Sequence, residues 1–155
     1  MKKLIIYFQI FFITFFAAYI IPSPQYHEII MRVRPCITPI EKYRYEICRN
    51  IDISVDRRIF IVPKGFETDL LSSPKFMWSL IPPQKSEYML PAIIHDYFYR
   101  SGGVCMTRKY ADEILYNSLI AKNVSKSTSK FIYVGVRFFG YKHFKDRYCY
   151  INYGD

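Results

Sequence analysis

The chain has 155 residues, 51% of them hydrophobic and 19% aromatic, with 22 basic against 13 acidic side chains and a net charge of +9. Less an apolar leader, that length supports one domain with a single modest core and excludes a two-domain enzyme. No run of five like charges occurs, which excludes a charged nucleic-acid-binding arm, and no specific nucleic acid is indicated as a partner.

In chain order, Lys2 and Lys3 come first, followed by residues 4–21, in which only Gln9 and Thr14 are polar and nothing is charged. Roughly 20 apolar residues cross the hydrocarbon layer. Lysines on the amino-terminal side set a cytoplasmic start. The expectation is a membrane helix over residues 1–21, with the rest of the chain in the periplasm or exterior. Secretion after signal cleavage is the alternative. Ala17-Ala18 runs into Tyr19-Ile20-Ile21-Pro22, which departs from the small-residue pattern of a cleavage site and favours an uncleaved anchor.

Pro22, Pro24, Pro35 and Pro39 mark residues 22–40 as an extended tether, with the domain proper over residues 41–155. Beyond residue 24 the chain keeps 20 basic against 13 acidic residues. That balance favours anionic lipid or a cell-wall polymer as partner. Cys36, Cys48, Cys105 and Cys149 all follow the apolar segment, and an even count in an oxidising compartment predicts two disulfides. Three pairings are open, of which Cys36 with Cys48 is the most local. No C-x-x-C spacing points to zinc.

Tyr43, Tyr45 and Ile47 alternate with Arg44 and Glu46, and Ile59, Ile61 and Pro63 follow Asp56-Arg57-Arg58, so a short antiparallel strand pair is expected. Residues 64–85, with Gly65, Pro74, Pro82 and Pro83, read as a long ordered loop. Pro91 suits the first turn of a helix running to about Arg100. Thr107 caps a second helix to about Lys122, with an apolar stripe of Ala111, Ile114, Leu115, Ser118 and Leu119. A third helix spans about 127–139 and ends at Gly140, where a left-handed cap favours glycine. The fold class is therefore α+β: a strand pair followed by a three-helix unit.

The chemistry concentrates on the first two helices. Ala92, His95, Asp96 and Tyr99 share one stripe of a helix apolar on nearly every side, and Asp112 borders the stripe of the next. Burying imidazole beside carboxylate costs several kcal/mol, about enough to demand a partner from another element. One reading is a structural network of His95, Asp96, Tyr99, Arg108 and Asp112 that pins the helices together. The other is a general base, His95, oriented by Asp112, with a second carboxylate binding a divalent cation. In the loop, Thr68 and Asp69 bond local amides, or Asp69 lends a carboxylate to the metal alongside Asp96.

Gly65-Phe66-x-Thr68-Asp69-x-x-Ser72-x-Pro74, His95-Asp96-x-x-Tyr99, Arg108-x-x-Ala111-Asp112 and Val136-Arg137-x-x-Gly140 together resemble the domain-of-unknown-function family numbered 1353, found mainly in phages and prophages. The resemblance spans about residues 60–141 and implies no established activity. Thr68, Ser72, Arg108 and Arg137 fall within its motifs and are expected in the structural network. A partial resemblance to secreted phospholipases of the A-two class implies that His95 is the base, Asp96 a calcium ligand, Asp112 the orienting carboxylate and Tyr99 a supporting phenol. Two functional expectations follow: a non-catalytic prophage-type envelope protein with a structural His-Asp network, or a calcium-assisted hydrolase of lipid or envelope esters.

Overall fold

A computed structural model of the chain describes residues 21–70, 85–100 and 106–144. The expected membrane helix over residues 1–21 therefore lies outside the described residues but for Ile21, as do Ser72, Pro74, Cys105 and Cys149. Among the described residues, no helix is long and apolar enough to cross a membrane.

The class is α+β, with more sheet than the expected strand pair. Among the described residues six short strands, β1 (Ile29–Ile30), β2 (Ile37–Glu41), β3 (Arg44–Ile47), β4 (Ile51–Val55), β5 (Arg58–Val62) and β6 (Glu67–Thr68), precede three helices. The helices are α1 (Ser86–Arg100), α2 (Arg108–Ala121) and α3 (Lys126–Phe139), followed by a 3-10 turn at Gly140–Lys142. The strands form two antiparallel sheets, ordered β1-β4-β5 and β2-β3-β6.

The two stretches expected to pair with each other belong to different sheets, because each has a nearer partner. Ile51, Ile53 and Val55 alternate inward with Asp52 outward, making β4 a strand buried on one face. It joins β5 through the two-residue turn Asp56-Arg57, both at positive φ (48° and 65°), the type I′ geometry whose twist matches a hairpin. β3 pairs instead with β2, Ile37 opposite Ile47, and with β6.

The tether expected over residues 22–40 is extended but not free. β1 adds to the edge of β4, Ile29 opposite Val55, and β2 adds to β3. Pro39 is tolerated because β2 is an edge strand with a register irregularity between Pro39 and Glu41. Cys36 and Cys48 are disulfide-bonded with Cα atoms 5.4 Å apart, and the Cys48 amide donates to the Cys36 carbonyl at 3.0 Å. The most local bond is therefore formed, while the expected second one, of Cys105 and Cys149, lies outside the described residues.

Ile47, Ile51, Ile53, Val55 and Val62 from the sheets pack with Leu90, Ile93, Ile94, Phe98, Ile114, Leu115 and Leu119 in one core. Phe60 meets Phe98 and Phe66 meets Tyr97 edge-on, at 5.2 and 5.6 Å, fixing each sheet to α1. The predicted stripe of α2 is fully buried, and Thr107 caps the helix by accepting from the Tyr110 amide at 3.2 Å. Two helix ends differ from expectation. α1 begins at Ser86, so Pro91 lies inside it rather than in its first turn. Gly140 has φ −72° and continues into the 3-10 turn instead of forming a left-handed cap. The glycine is needed for space: a Cβ there would stand 2.7 Å from the Tyr99 hydroxyl oxygen.

Candidate functional site

The three helices converge on one carboxylate. Asp112, on α2, has no solvent exposure. Its Oδ1 accepts from His95 Nε2 at 2.9 Å and from the Tyr99 hydroxyl at 2.5 Å, both from α1. Residues 95 and 99 reach the same oxygen because i and i+4 lie one above the other on a helix. On the other oxygen, Oδ2 accepts from Arg137 Nη1 at 2.8 Å, from α3. Arg108 stands 3.7 Å from Oδ2 and donates to the carbonyls of Val136 and Arg137 at 3.2 and 3.0 Å. Those carbonyls belong to the last turn of α3, where a cation complements the helix dipole.

This set is internally consistent. A buried carboxylate is expensive unless paired and fully hydrogen-bonded. Asp112 obtains charge neutralisation from the arginines and directed bonds from His95 and Tyr99. Burial, then the neighbouring Asp112 charge, pushes the Tyr99 phenol well above its ordinary range, so it remains a donor. The His95 and Tyr99 rings lie 4.1 Å apart, and Phe144 closes edge-on over Tyr99 at 5.2 Å. His95 is 8% exposed, and its Nδ1 is the ring nitrogen not bonded to Asp112.

A second group adjoins the first along α1. Gly65, at φ 84°, allows the turn that leads into β6. Thr68 then donates to Asp96 Oδ2 at 2.5 Å and accepts from the Leu70 amide at 2.9 Å. Arg100 pairs with Asp69, lies 3.9 Å from Asp96 Oδ2, and donates to the Glu67 carbonyl at 3.1 Å. Burial first, then the Asp69 charge, raises the Asp96 carboxyl to about 7, against the lowering effect of the Thr68 bond. The loop and helix motifs thus meet as one unit.

Asp96 and Asp69 are the carboxylates named for a cation, and Arg100 already supplies positive charge to both. Among the described residues, no group of three or more His, Cys, Asp or Glu side chains is arranged to hold a metal. Calcium takes about six to eight oxygen ligands. The described residues offer two carboxylates and a threonine hydroxyl toward such a set.

The sequence reading missed a third network. His27, 6% exposed, places Nδ1 2.7 Å from Asp56 Oδ2, and Tyr110 packs edge-on against its ring at 4.7 Å. Its Nε2 is buried without a hydrogen bond, 3.6 Å from Glu113 Oε2. Glu113 accepts from the Gln25 amide at 3.1 Å, and Asn117 Nδ2 donates to the Gln25 carbonyl at 2.8 Å. Hydrogen bonds to Asp56 from His27 and the Glu28 amide hold that carboxyl below its usual range, overcoming the opposing effect of burial. Adjacent acids Asp112 and Glu113 thus serve different sides of α2. The one clue in the sequence was that pair of neighbouring acids on an otherwise apolar stripe.

A family described as "Protein of unknown function (DUF1353)" has a model that matches residues 45–136, more than half of the chain. The match runs from within β3 to within α3 and takes in His95, Asp96, Tyr99, Arg108 and Asp112 but not Arg137 or Phe144. No curated protein and no solved structure matches significantly.

Proposed function

The chain belongs to the DUF1353 family, and from that premise we propose that it is a membrane-anchored hydrolase in which His95 activates water against an ester of lipid or envelope material. The observation that carries this reading is the shared Asp112 oxygen. With Nε2 directed at a carboxylate, the ring proton sits on Nε2 and the lone pair on Nδ1. Water gives its proton to Nδ1 as its oxygen attacks the ester carbonyl, Asp112 stabilises the imidazolium that forms, and the tetrahedral adduct collapses with cleavage of the ester C–O bond as the imidazolium returns that proton to the departing alkoxide, leaving alcohol and acid. Tyr99, bonded to the same oxygen, fixes the orientation of the carboxylate. No step is assigned to a cation.

Anchoring and export are supported by the apolar residues 4–21 behind Lys2 and Lys3, and by the Cys36–Cys48 disulfide, which suits an oxidising compartment. A second reading has its own observation. Arg137 and Arg108 neutralise much of the Asp112 charge that would otherwise favour the imidazolium. That favours a non-catalytic envelope protein of the prophage type, with Asp112 as a clamp on three helices.

His95→Gln separates the two in the full chain held in vesicles. A base removed costs roughly 100-fold to 10,000-fold in rate with the melting temperature nearly unchanged. No turnover on phospholipid or model esters, together with a lower melting temperature for the variant, would leave the clamp reading standing.

A further inference from the structure

The apolar segment marked for the membrane ends against α3, the helix that exposes Phe138 and Phe139. Ile21, its last residue, packs against the buried pair Tyr133 and Val134 of α3, as does Tyr116 of α2. Gln25, four residues on, is fixed by its amide to Glu113 and by its carbonyl to Asn117. Four residues span at most about 14 Å, so no slack separates the segment from the domain. Val134 and Phe138 are four residues apart on α3, one turn and about 6 Å along the same face.

Beyond Val134 one side of the helix faces the Asp112 site and the other is exposed. Phe138 is 43% exposed, Phe139 61% and Tyr141 60%. Lys142 stands over the Tyr141 ring at 5.6 Å. From residue 126 to 144 the chain carries Lys126, Lys130, Arg137 and Lys142 and no acid. Aromatic rings favour the headgroup level of a bilayer, and lysine stems lie along apolar surface while their charge reaches anionic headgroups.

We propose that Phe138, Phe139, Tyr141 and Lys142 form a docking surface for an anionic bilayer, the one entered by residues 1–20. The inference rests on the anchored part of the proposed function and not on His95 catalysis. It places the bilayer beside the Asp112 site, because Gly140, between Phe139 and Tyr141, lies against Tyr99.

The test uses the full chain with its single tryptophan removed (Trp78→Phe) and one new tryptophan, Phe139→Trp. A control carries Ile59→Trp instead, at a side chain 73% exposed on β5. Each is reconstituted in vesicles containing phosphatidylglycerol with brominated acyl chains, and flotation is read first. Loss of Phe139→Trp fluorescence, with none for Ile59→Trp and less in pure phosphatidylcholine, is the expected result. Should Phe139→Trp fail to fold by circular dichroism, Tyr141→Trp takes its place. A chain that does not float overturns both the anchor and the docking. A floating chain whose α3 tryptophan is no more quenched than the control overturns the docking alone, and equal quenching in phosphatidylcholine overturns its anionic preference. An α3 tryptophan shielded by a second copy, seen as a lipid-independent dimer, overturns it in favour of self-association.

Discussion

Gly140 sits directly against Tyr99, leaving 2.7 Å between the position of a Cβ and the phenol oxygen. That oxygen is fixed in turn by Asp112. The turn after α3 therefore sets the position of the carboxylate's partners on α1. Gly140→Ala should destabilise the domain by about 1 to 3 kcal/mol, the usual cost of overpacking. Because the closest atom is the hydroxyl, Tyr99→Phe in the Gly140→Ala background should cost less than Tyr99→Phe alone. Urea unfolding of the four proteins in a double-mutant cycle reads the difference; strict additivity would count against the contact.

Asp112 is the most demanding single position. Asp112→Asn keeps the shape but removes the charge that faces Arg137 and Arg108 and weakens its bonds from His95 and Tyr99. Breaking a buried ion pair from one side costs about 3 to 5 kcal/mol, and the partial exposure of both arginines places the expected loss at or below the lower end. Arg137→Ala should cost less, because Arg108 remains 3.7 Å away. Thermal melts of both variants check the order.

Asp96 predicts a pH dependence with a definite sign. Its folded carboxyl is raised from 3.8 to about 7, chiefly by burial. Between those values the folded chain holds a proton that the unfolded chain has released, so the Asp96 contribution to stability falls as pH rises and levels off above about 7. At about 1.4 kcal/mol per unit the fall is at most about 4 kcal/mol. Asp96→Asn should remove this slope. Urea midpoints for native and variant chains between pH 4.5 and 8.5 should converge at the acidic end and diverge at the alkaline end; parallel curves would show that Asp96 titrates normally.

The Cys36–Cys48 bond closes a loop of sequence separation 12 across β2 and β3. Loops of this size are stabilised by about 3 kcal/mol in the chain-entropy view. Reduction, or Cys36→Ser with Cys48→Ser, should lower the melting temperature, and these two thiols should resist alkylation in the folded chain until reduced. Mass spectrometry after labelling reads this, and rapid labelling of both would count against the bond in the cell.

What was legible in the sequence was what is local. The Thr107 cap and the stripe of α2 follow from spacing within one helix, and His95, Tyr99 and Asp112 were readable as polar groups on two apolar stripes. Arg137 could be named from its motif, but not matched to Asp112, which lies 25 residues away on another helix. β4 was overlooked although Ile51, Ile53 and Val55 alternate strictly. The prolines at 22–40 spoke for an extended tether and were silent on its pairing through β1 and β2, since an edge strand tolerates proline. His27 looked like a tether residue because Asp56 and Glu113, which surround it, come 29 and 86 positions later. Gly140 looked like a cap because its true constraint, Tyr99, is on another element.

The fixing of Gln25 by Glu113 and Asn117 also sets an order of events in biosynthesis. The partners are 88 and 92 residues downstream. At translation rates of about 5 to 20 residues per second, Gln25 waits roughly 5 to 20 seconds before its acceptor and donor have been made. During that interval the emerging chain can hold His27 and Glu28 through Asp56, but it leaves Gln25 free of its two partners on α2. Completion of α2 ends that freedom, so the domain closes onto its own beginning only after the ribosome has passed residue 117.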